Sequence, residues 1–464
     1  MAKRAAKRVA KPAVRQETRP PQGPPPLRLA LGPPLLLAGL ACLPRVAANP
    51  RLLAAFLAAA GLLLALLFVL RREVRRAHRE LDYRFVPVKV HYVQAAMQAC
   101  VYAYWSWYWR EVYDHIPLIA AQLCFVYGLD MLVSWLRRDD WVLGFGPFPI
   151  IFSTNLFMWF RDDWFFLQFA MVAAGVLGKE FIKWTRDGRT THVFNPSALS
   201  LCLFSLGLIA TGRTDITWGP EIAATLGLPP QIYLEVFLVG LVVQLLFGVT
   251  LVTLSAVIAL LALNVLYTGA TGTYHFVMTN IPIAVFLGLH LLVTDPATSP
   301  RTTLGKLLFG GLYGGAAFAL FGLFAALGVP TFYDKLLPVP ALNLTVRWLD
   351  RVSRALAAKL RFLEPASLWG PERVNRAAMV VWIALFATLA TTGFVGRAHP
   401  GRDPDFWRSA CREGKRNGCE TWATFLEISC SRDVHACNTL GRLLSDGGDV
   451  ARDPVRAART FALA

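Results

Sequence analysis

Two interruptions in an otherwise apolar sequence carry the residue types able to do chemistry. The first runs Gly178-Lys179-Glu180, then Arg186-Asp187-Gly188-Arg189 and His192, then Phe194-Asn195-Pro196-Ser197-Ala198-Leu199. The second is Val293-Thr294-Asp295-Pro296-Ala297-Thr298-Ser299-Pro300-Arg301, followed by Gly305-Lys306. Asn195 is a good N-cap and Pro196 suits the first helical position, so a helix is expected to begin there. The second stretch reads as a similar capped restart. The free N–H groups and positive dipole end of such a helix suit phosphate or carboxylate groups, and broken membrane helices hold anionic ligands in this way. The same residues also fit two ordinary loops whose caps only satisfy the backbone. Asp130, Asn155, Asn264, Asn280 and His290 stand as further polar residues inside apolar spans, where such groups are costly and often functional. No Ser-His-Asp arrangement, P-loop, zinc-protease motif or other metal-ligand set appears.

The elements that would position these residues are membrane helices. Of 464 residues, 55% are hydrophobic and only 17% charged, against about a quarter charged in ordinary soluble chains. Arg51–Leu70 is long enough to cross a bilayer core, for which about 20 residues are needed. It ends in Arg71, Arg72, Arg75, Arg76 and Arg79, a cytoplasmic signal. Further candidate spans are Leu29–Leu43, Tyr92–Trp109, Ile116–Trp135, Pro147–Phe160, Trp164–Trp184 and Phe194–Ala210. Ile232–Phe247, Leu251–Tyr267, Val277–Val293, Leu304–Leu327 and Ala377–Val395 complete the set. Pro147–Phe160 is short and Pro-containing, as a re-entrant segment would be. The net charge of +17 sits in clusters beside the spans, which points to lipid head groups and not to nucleic acid. Tyr102, Tyr104, Trp105, Trp107, Tyr108 and Trp109 read as an interfacial aromatic belt or as a stacking site for an aromatic cofactor.

Leu342, Val346, Leu349, Val352, Leu356, Leu360 and Leu363 recur every three or four residues between arginines, as in a basic amphipathic helix lying on the membrane. Strict alternation of crossings places that helix on the side opposite to the one its charge favours, so one segment must be re-entrant or miscounted. Pro147–Phe160 and the stretch after Gly328 are the candidates. In the polar tail, Cys411, Cys419, Cys430 and Cys437 predict two disulfides and an oxidising compartment.

Gly178-Lys179-Glu180 with Phe194–Leu199, then Thr294–Pro296 with Gly305-Lys306, resembles the paired signature of one membrane family. That family contains the D subunit of Rnf electron-transport complexes and the B subunit of the sodium-pumping NADH:quinone reductase. The likeness extends over residues 85–330 and is nearest to stand-alone members found with enediyne biosynthesis genes. It implies a helix bundle that binds flavin and passes electrons, with redox partner subunits. Family members tie one flavin mononucleotide (FMN) to a Thr in a Ser/Thr-Gly-Ala-Thr motif. Here Glu221–Leu226 offers only Thr225, without the Gly or the upstream Asp, which counts against covalent attachment. In the tail, Ala436-Cys437-x-x-Leu440-Gly441 and Asp453-Pro454-x-Arg456-Ala457-Ala458 resemble a Sel1-like repeat, which implies paired helices that bind a protein partner.

The expected fold is therefore all-α: a polytopic membrane bundle of about 10–12 segments with broken helices, plus a small helical-repeat tail. Residues 1–27 read as a disordered basic tail, 28–84 as a membrane hairpin and 85–330 as the family-like domain. Residues 331–376 read as interfacial, 377–396 as a last span and 397–464 as the tail. The resemblance implies electron transport with flavin or quinone held by Lys179, Arg189, His192, Asn195, Ser197, Thr225, Thr294, Asp295, Thr298 and Arg301. Other readings are a small-molecule transporter or export factor, or a scaffold recruiting partners through the tail. A bacterial inner membrane is expected, with the N-terminus cytoplasmic and the tail outside.

Overall fold

The computed structural model describes residues 26–360, 365–396, 399–447 and 450–464. The expected basic tail lies almost wholly outside them. Helix makes up 74% of the described residues and strand 4%, so the fold is all-α. Among the described residues, six helices are long and apolar enough to cross a membrane, and their outward faces present side chains such as Leu57, Phe68 and Leu266. The chain is a helical membrane protein.

Helices α1 (Pro26–Leu29) and α2 (Gly32–Leu40) lead through α3 (Pro44–Ala48) into α4 (Pro50–Ala77). Asn49 caps α4 as its type predicts, its side chain accepting from Arg51 N and Leu52 N. Next come β1 (Asp82–Phe85), α5 (Lys89–Tyr108), α6 (Arg110–Arg137) and β2 (Asp140–Leu143), followed by α7 (Pro147–Asn155) and α8 (Phe165–Phe181). The hairpin β3 (Lys183–Arg186) and β4 (Arg189–His192) precedes α9 (Pro196–Thr211) and the short α10 (Gly219–Thr225). A second series follows: α11 (Ile232–Phe247), α12 (Thr250–Thr271), α13 (Ile283–Leu291), α14 (Thr303–Leu327) and α15 (Pro338–Lys359). Helices α16 (Ala366–Trp369) and α17 (Pro371–Thr391) lead to the tail of α18 (Pro404–Arg412), α19 (Gly418–Cys430), α20 (Val434–Asp446) and α21 (Pro454–Ala462).

The two series match. In each, the third helix is only nine residues long, α7 in one and α13 in the other. Contacts repeat as well: α5 with α7, α6 with α8 and α8 with α9 correspond to α11 with α13, α12 with α14 and α14 with α15. The directions are opposite. α5 starts beside the β-ribbons, whereas α11 ends at that level, with the Gly248 carbonyl accepting from Lys306 Nζ at 2.7 Å. An inverted repeat with two interrupted helices is the architecture membrane proteins use to place a site near mid-membrane.

The broken segments also remove the topological conflict. α7 is too short to cross, but the chain continues through a turn at Leu156 and Phe157 to Phe160, which bridges Thr217 at the far end of the bundle. The amphipathic helix does not lie on the surface along its whole length. Tyr333 meets Thr214 at the far end (3.0 Å) and Leu337 O lies 3.9 Å from Cys202 Sγ. Asn343 then reaches the start of α9, accepting from Asn195 N at 3.1 Å. The stretch after Gly328 therefore re-enters the bundle, and α15 carries the chain back to the ribbon end, where its arginines emerge. Its apolar spacing was read as a surface stripe, yet Leu342, Val346 and Leu349 are buried against protein. With α15 counted as a pass, the chain alternates strictly between the two ends.

The tightest helix pair is α12 with α14, which Gly310 and Gly314 allow. A Cβ at Gly314 would lie 2.5 Å from the Ala256 carbonyl oxygen, the close approach that small residues four apart permit in membranes. The tail sits at the far end, Arg416 O accepting from Thr273 Oγ1 and Met278 O from Arg402 Nε. Cys411 is bonded to Cys419 and Cys430 to Cys437, the two disulfides expected of four cysteines in the polar tail.

Candidate functional site

The hairpin exists because Asp187 and Gly188 both adopt positive φ, 49° and 76°, the requirement of a two-residue turn. Arg186 points inward from it. Its guanidinium meets Asp350 at 2.6 Å and Ser299 O at 2.9 Å, with the two charged side chains 4% and 1% exposed. Asp350 also accepts from Arg301 N, Thr302 N and Thr302 Oγ1. One carboxylate thus ties the hairpin, the loop before α14 and α15 together, and so fixes both predicted polar breaks.

Held this way, the breaks converge on one cleft of about 190 Å³. Lys179, His192, Asn195, Ser197 and Asp295 all line it. His192 Nε2 lies 3.2 Å from Asp295 Oδ2. Burial pushes the Asp295 carboxyl up, but the hydrogen bond and charge of His192, with the Ala297 N–H and the Thr298 hydroxyl, outweigh this and hold it below the usual range. Lys179 has no hydrogen-bond or ion-pair partner among the described residues and stands by the N-terminus of α7, close to Gly146. A fixed cation and the positive dipole end of a helix there favour a ligand with carbonyl or anionic oxygen. Apolar walls come from Ile150, Phe247 and Leu291.

Five other predicted residues do not face the cleft. Thr298 stands behind Asp295, donating to Oδ2 at 3.1 Å, and Thr294 is buried, donating to His290 O. Arg301 pairs with Asp187 at 2.6 Å, and Arg189 lies exposed on β4. Thr225 follows α9, at the far end from Asn195. Sixteen helical residues separate the two levels by about 24 Å, and the Thr225 hydroxyl donates to Glu221 O. Asn195 lines the cleft, but its amide is used: it accepts from Ala198 N and Ser197 Oγ and donates to Leu292 O.

The sequence reading missed His91, Gln94 and Ser153, which complete the lining. The signal was there, since His91, Gln94 and Gln98 form a polar stripe at helical spacing on α5. Gln98, fully buried, donates to Ser153 at 2.6 Å. Asn155, at the end of α7, binds Gln122 (2.7 Å) and His115 (3.0 Å), and Gln168 donates to Gln122 at 2.9 Å. His115 stacks on Trp159 with centroids 4.3 Å apart, and Trp109 and Trp105 pack beyond. The aromatic run is therefore divided: Trp105 is enclosed, and Trp107 is 86% exposed, as an interfacial residue would be. Of the other intramembrane residues, Asp130 accepts from Trp141 Nε1 and Asn264 bonds Asn280 O. His290 packs on Gly240 with its Nε2 buried and without a partner among the described residues.

No protein-family model, curated protein or solved structure matches this chain.

Proposed function

We propose that the cleft binds the ring of a membrane quinone and that the chain acts in membrane electron transport. The observation that carries this reading is the convergence of two distant polar breaks, residues 178–199 and 294–301, on one cleft beside the interrupted helix α7. A quinone presents two carbonyl oxygens on a compact apolar ring and accepts electrons and protons. Lys179 supplies donors for one oxygen, and His192, oriented by Asp295, faces the other. Ile150, Phe247 and Leu291 cover the ring faces.

Flavin mononucleotide, which the sequence resemblance implies, fits less well. The cleft volume of about 190 Å³ falls below the roughly 300–1,000 Å³ of pockets that enclose drug-sized ligands. Thr225, the one candidate for attachment, is at the other end of the bundle. A second reading, transport of a small anion, is favoured by the inverted pair of nine-residue helices. Solvent extraction of the purified protein, followed by mass spectrometry and visible absorption, separates these readings. Bound quinone supports the proposal. Flavin retained after protein precipitation overturns it in favour of covalent flavin, and a ligand-free protein that takes up anions into vesicles favours transport.

A further inference from the structure

A second crevice opens at the ribbon end, between the β3–β4 turn and the emerging half of α15. It encloses about 340 Å³ and is lined by Arg186, Arg347, Arg351, Arg354, Asp187 and Asp350. Its two acids are already committed. Asp350 is taken by Arg186 and the Arg301–Thr302 backbone, and Asp187 is shared by Arg301 at 2.6 Å and Arg354 at 3.5 Å. Arg347 lies over the Trp184 ring, 5.5 Å from its centroid. Arg351 meets no carboxylate among the described residues. Two guanidiniums one helical turn apart therefore face open space without an anion. Arginine binds phosphate oxygens through paired N–H groups, which makes such a pair a phosphate receptor.

The flank of the same helix identifies which phosphate. Leu344, Trp348 and Leu356 repeat at helical spacing and are 60%, 56% and 40% exposed. Trp369, just beyond, is 60% exposed. A soluble phosphate has no use for that stripe, whereas acyl chains do, and exposed tryptophan beside arginine marks the water–lipid boundary. We propose that this crevice binds the head group of an anionic phospholipid, with Arg347 and Arg351 holding the phosphate and the chains lying along Leu344, Trp348 and Leu356. This site is separate from the cleft and does not depend on the redox reading.

The test uses the full chain purified in detergent, with native mass spectrometry and thermal melting in the presence of phosphatidylglycerol or phosphatidylcholine. Phosphatidylglycerol should remain bound and raise the melting temperature. Arg347→Gln/Arg351→Gln should weaken its retention about tenfold, roughly 1.4 kcal/mol. Arg72→Gln/Arg75→Gln, which removes equal charge from the exposed end of α4, should retain it. Both substituted pairs are exposed, and unchanged gel filtration verifies folding. If the double variant does not fold, Arg347→Lys/Arg351→Lys keeps the charge but loses the paired donors and should still weaken retention. Equal retention by the α15 variant, equal binding of phosphatidylcholine, or the same melting shift from inorganic phosphate alone would overturn the proposal.

Discussion

Replacing Asp350 with Ala should be among the most damaging single changes at the ribbon end. The carboxylate accepts from Arg186 at 2.6 Å, Arg301 N at 2.9 Å, Thr302 N at 3.0 Å and Thr302 Oγ1 at 2.9 Å. Its loss strands a guanidinium whose side chain is 4% exposed and frees two backbone donors at the start of α14. Removing one partner of a buried pair costs about 3–5 kcal/mol, because the other charge stays buried and uncompensated. Arg186→Met should cost a similar amount. The double variant Arg186→Met/Asp350→Ala leaves no buried charge, so it should be more stable than the Asp350→Ala protein, with a coupling of about 1–3 kcal/mol. Denaturation of the detergent-solubilised protein, with limited proteolysis at the hairpin, reads both effects. A loss within about 0.5 kcal/mol for Asp350→Ala, or strict additivity in the double variant, would refute the claim that this pair holds the two breaks together.

The depressed Asp295 pKa gives a pH signature. Its stabilisation is fully present above the ordinary carboxylate value of about 4 and is lost as pH falls through the lower folded value. Melting temperature should therefore drop in acid, and Asp295→Asn, less stable at neutral pH, should show a shallower fall. At the α12–α14 contact, Gly314→Leu should cost about 1–3 kcal/mol by forcing the helices apart, measured by melting in detergent. In the tail, Cys430→Ser/Cys437→Ser opens a loop with a sequence separation of seven, worth about 2.5 kcal/mol by loop-closure entropy. Hydrogen exchange should rise in α19–α21 and stay unchanged in the bundle.

Much of the architecture was legible because hydrophobic runs and caps are local signals. Asn195 begins α9, Asn49 begins α4, and four cysteines in a polar tail pair as two disulfides. The broken helices were less so. Val277–Val293 reads as one apolar span, yet only Ile283–Leu291 is helical, because Pro282 precedes it and the helix stops after Leu291. The fate of α15 was hidden for a different reason. A basic amphipathic pattern fits a membrane surface or a protein groove equally well, and contacts made by packing, such as Asn343 with Asn195, decide between them. The hairpin was announced by Asp187-Gly188, but charged residues on both sides read as a loop. At the site, Lys179, His192, Asn195, Ser197 and Asp295 were legible from the two breaks. His91 and Gln94 show only as a polar stripe on α5 and Ser153 only as one residue of another span, and packing alone brings them to the cleft.

The central claim is that the residues of the two breaks form one ring-binding cleft, and crosslinking with a photoactivatable short-chain quinone tests it most directly. Labelling should fall on residues around Lys179, His192 and Leu291, compete with unlabelled quinone, and drop by about tenfold, or 1.4 kcal/mol, in Lys179→Met/His192→Leu. Labelling that ignores competitor, or that falls near Thr225 and is unaffected by the double variant, would contradict the claim.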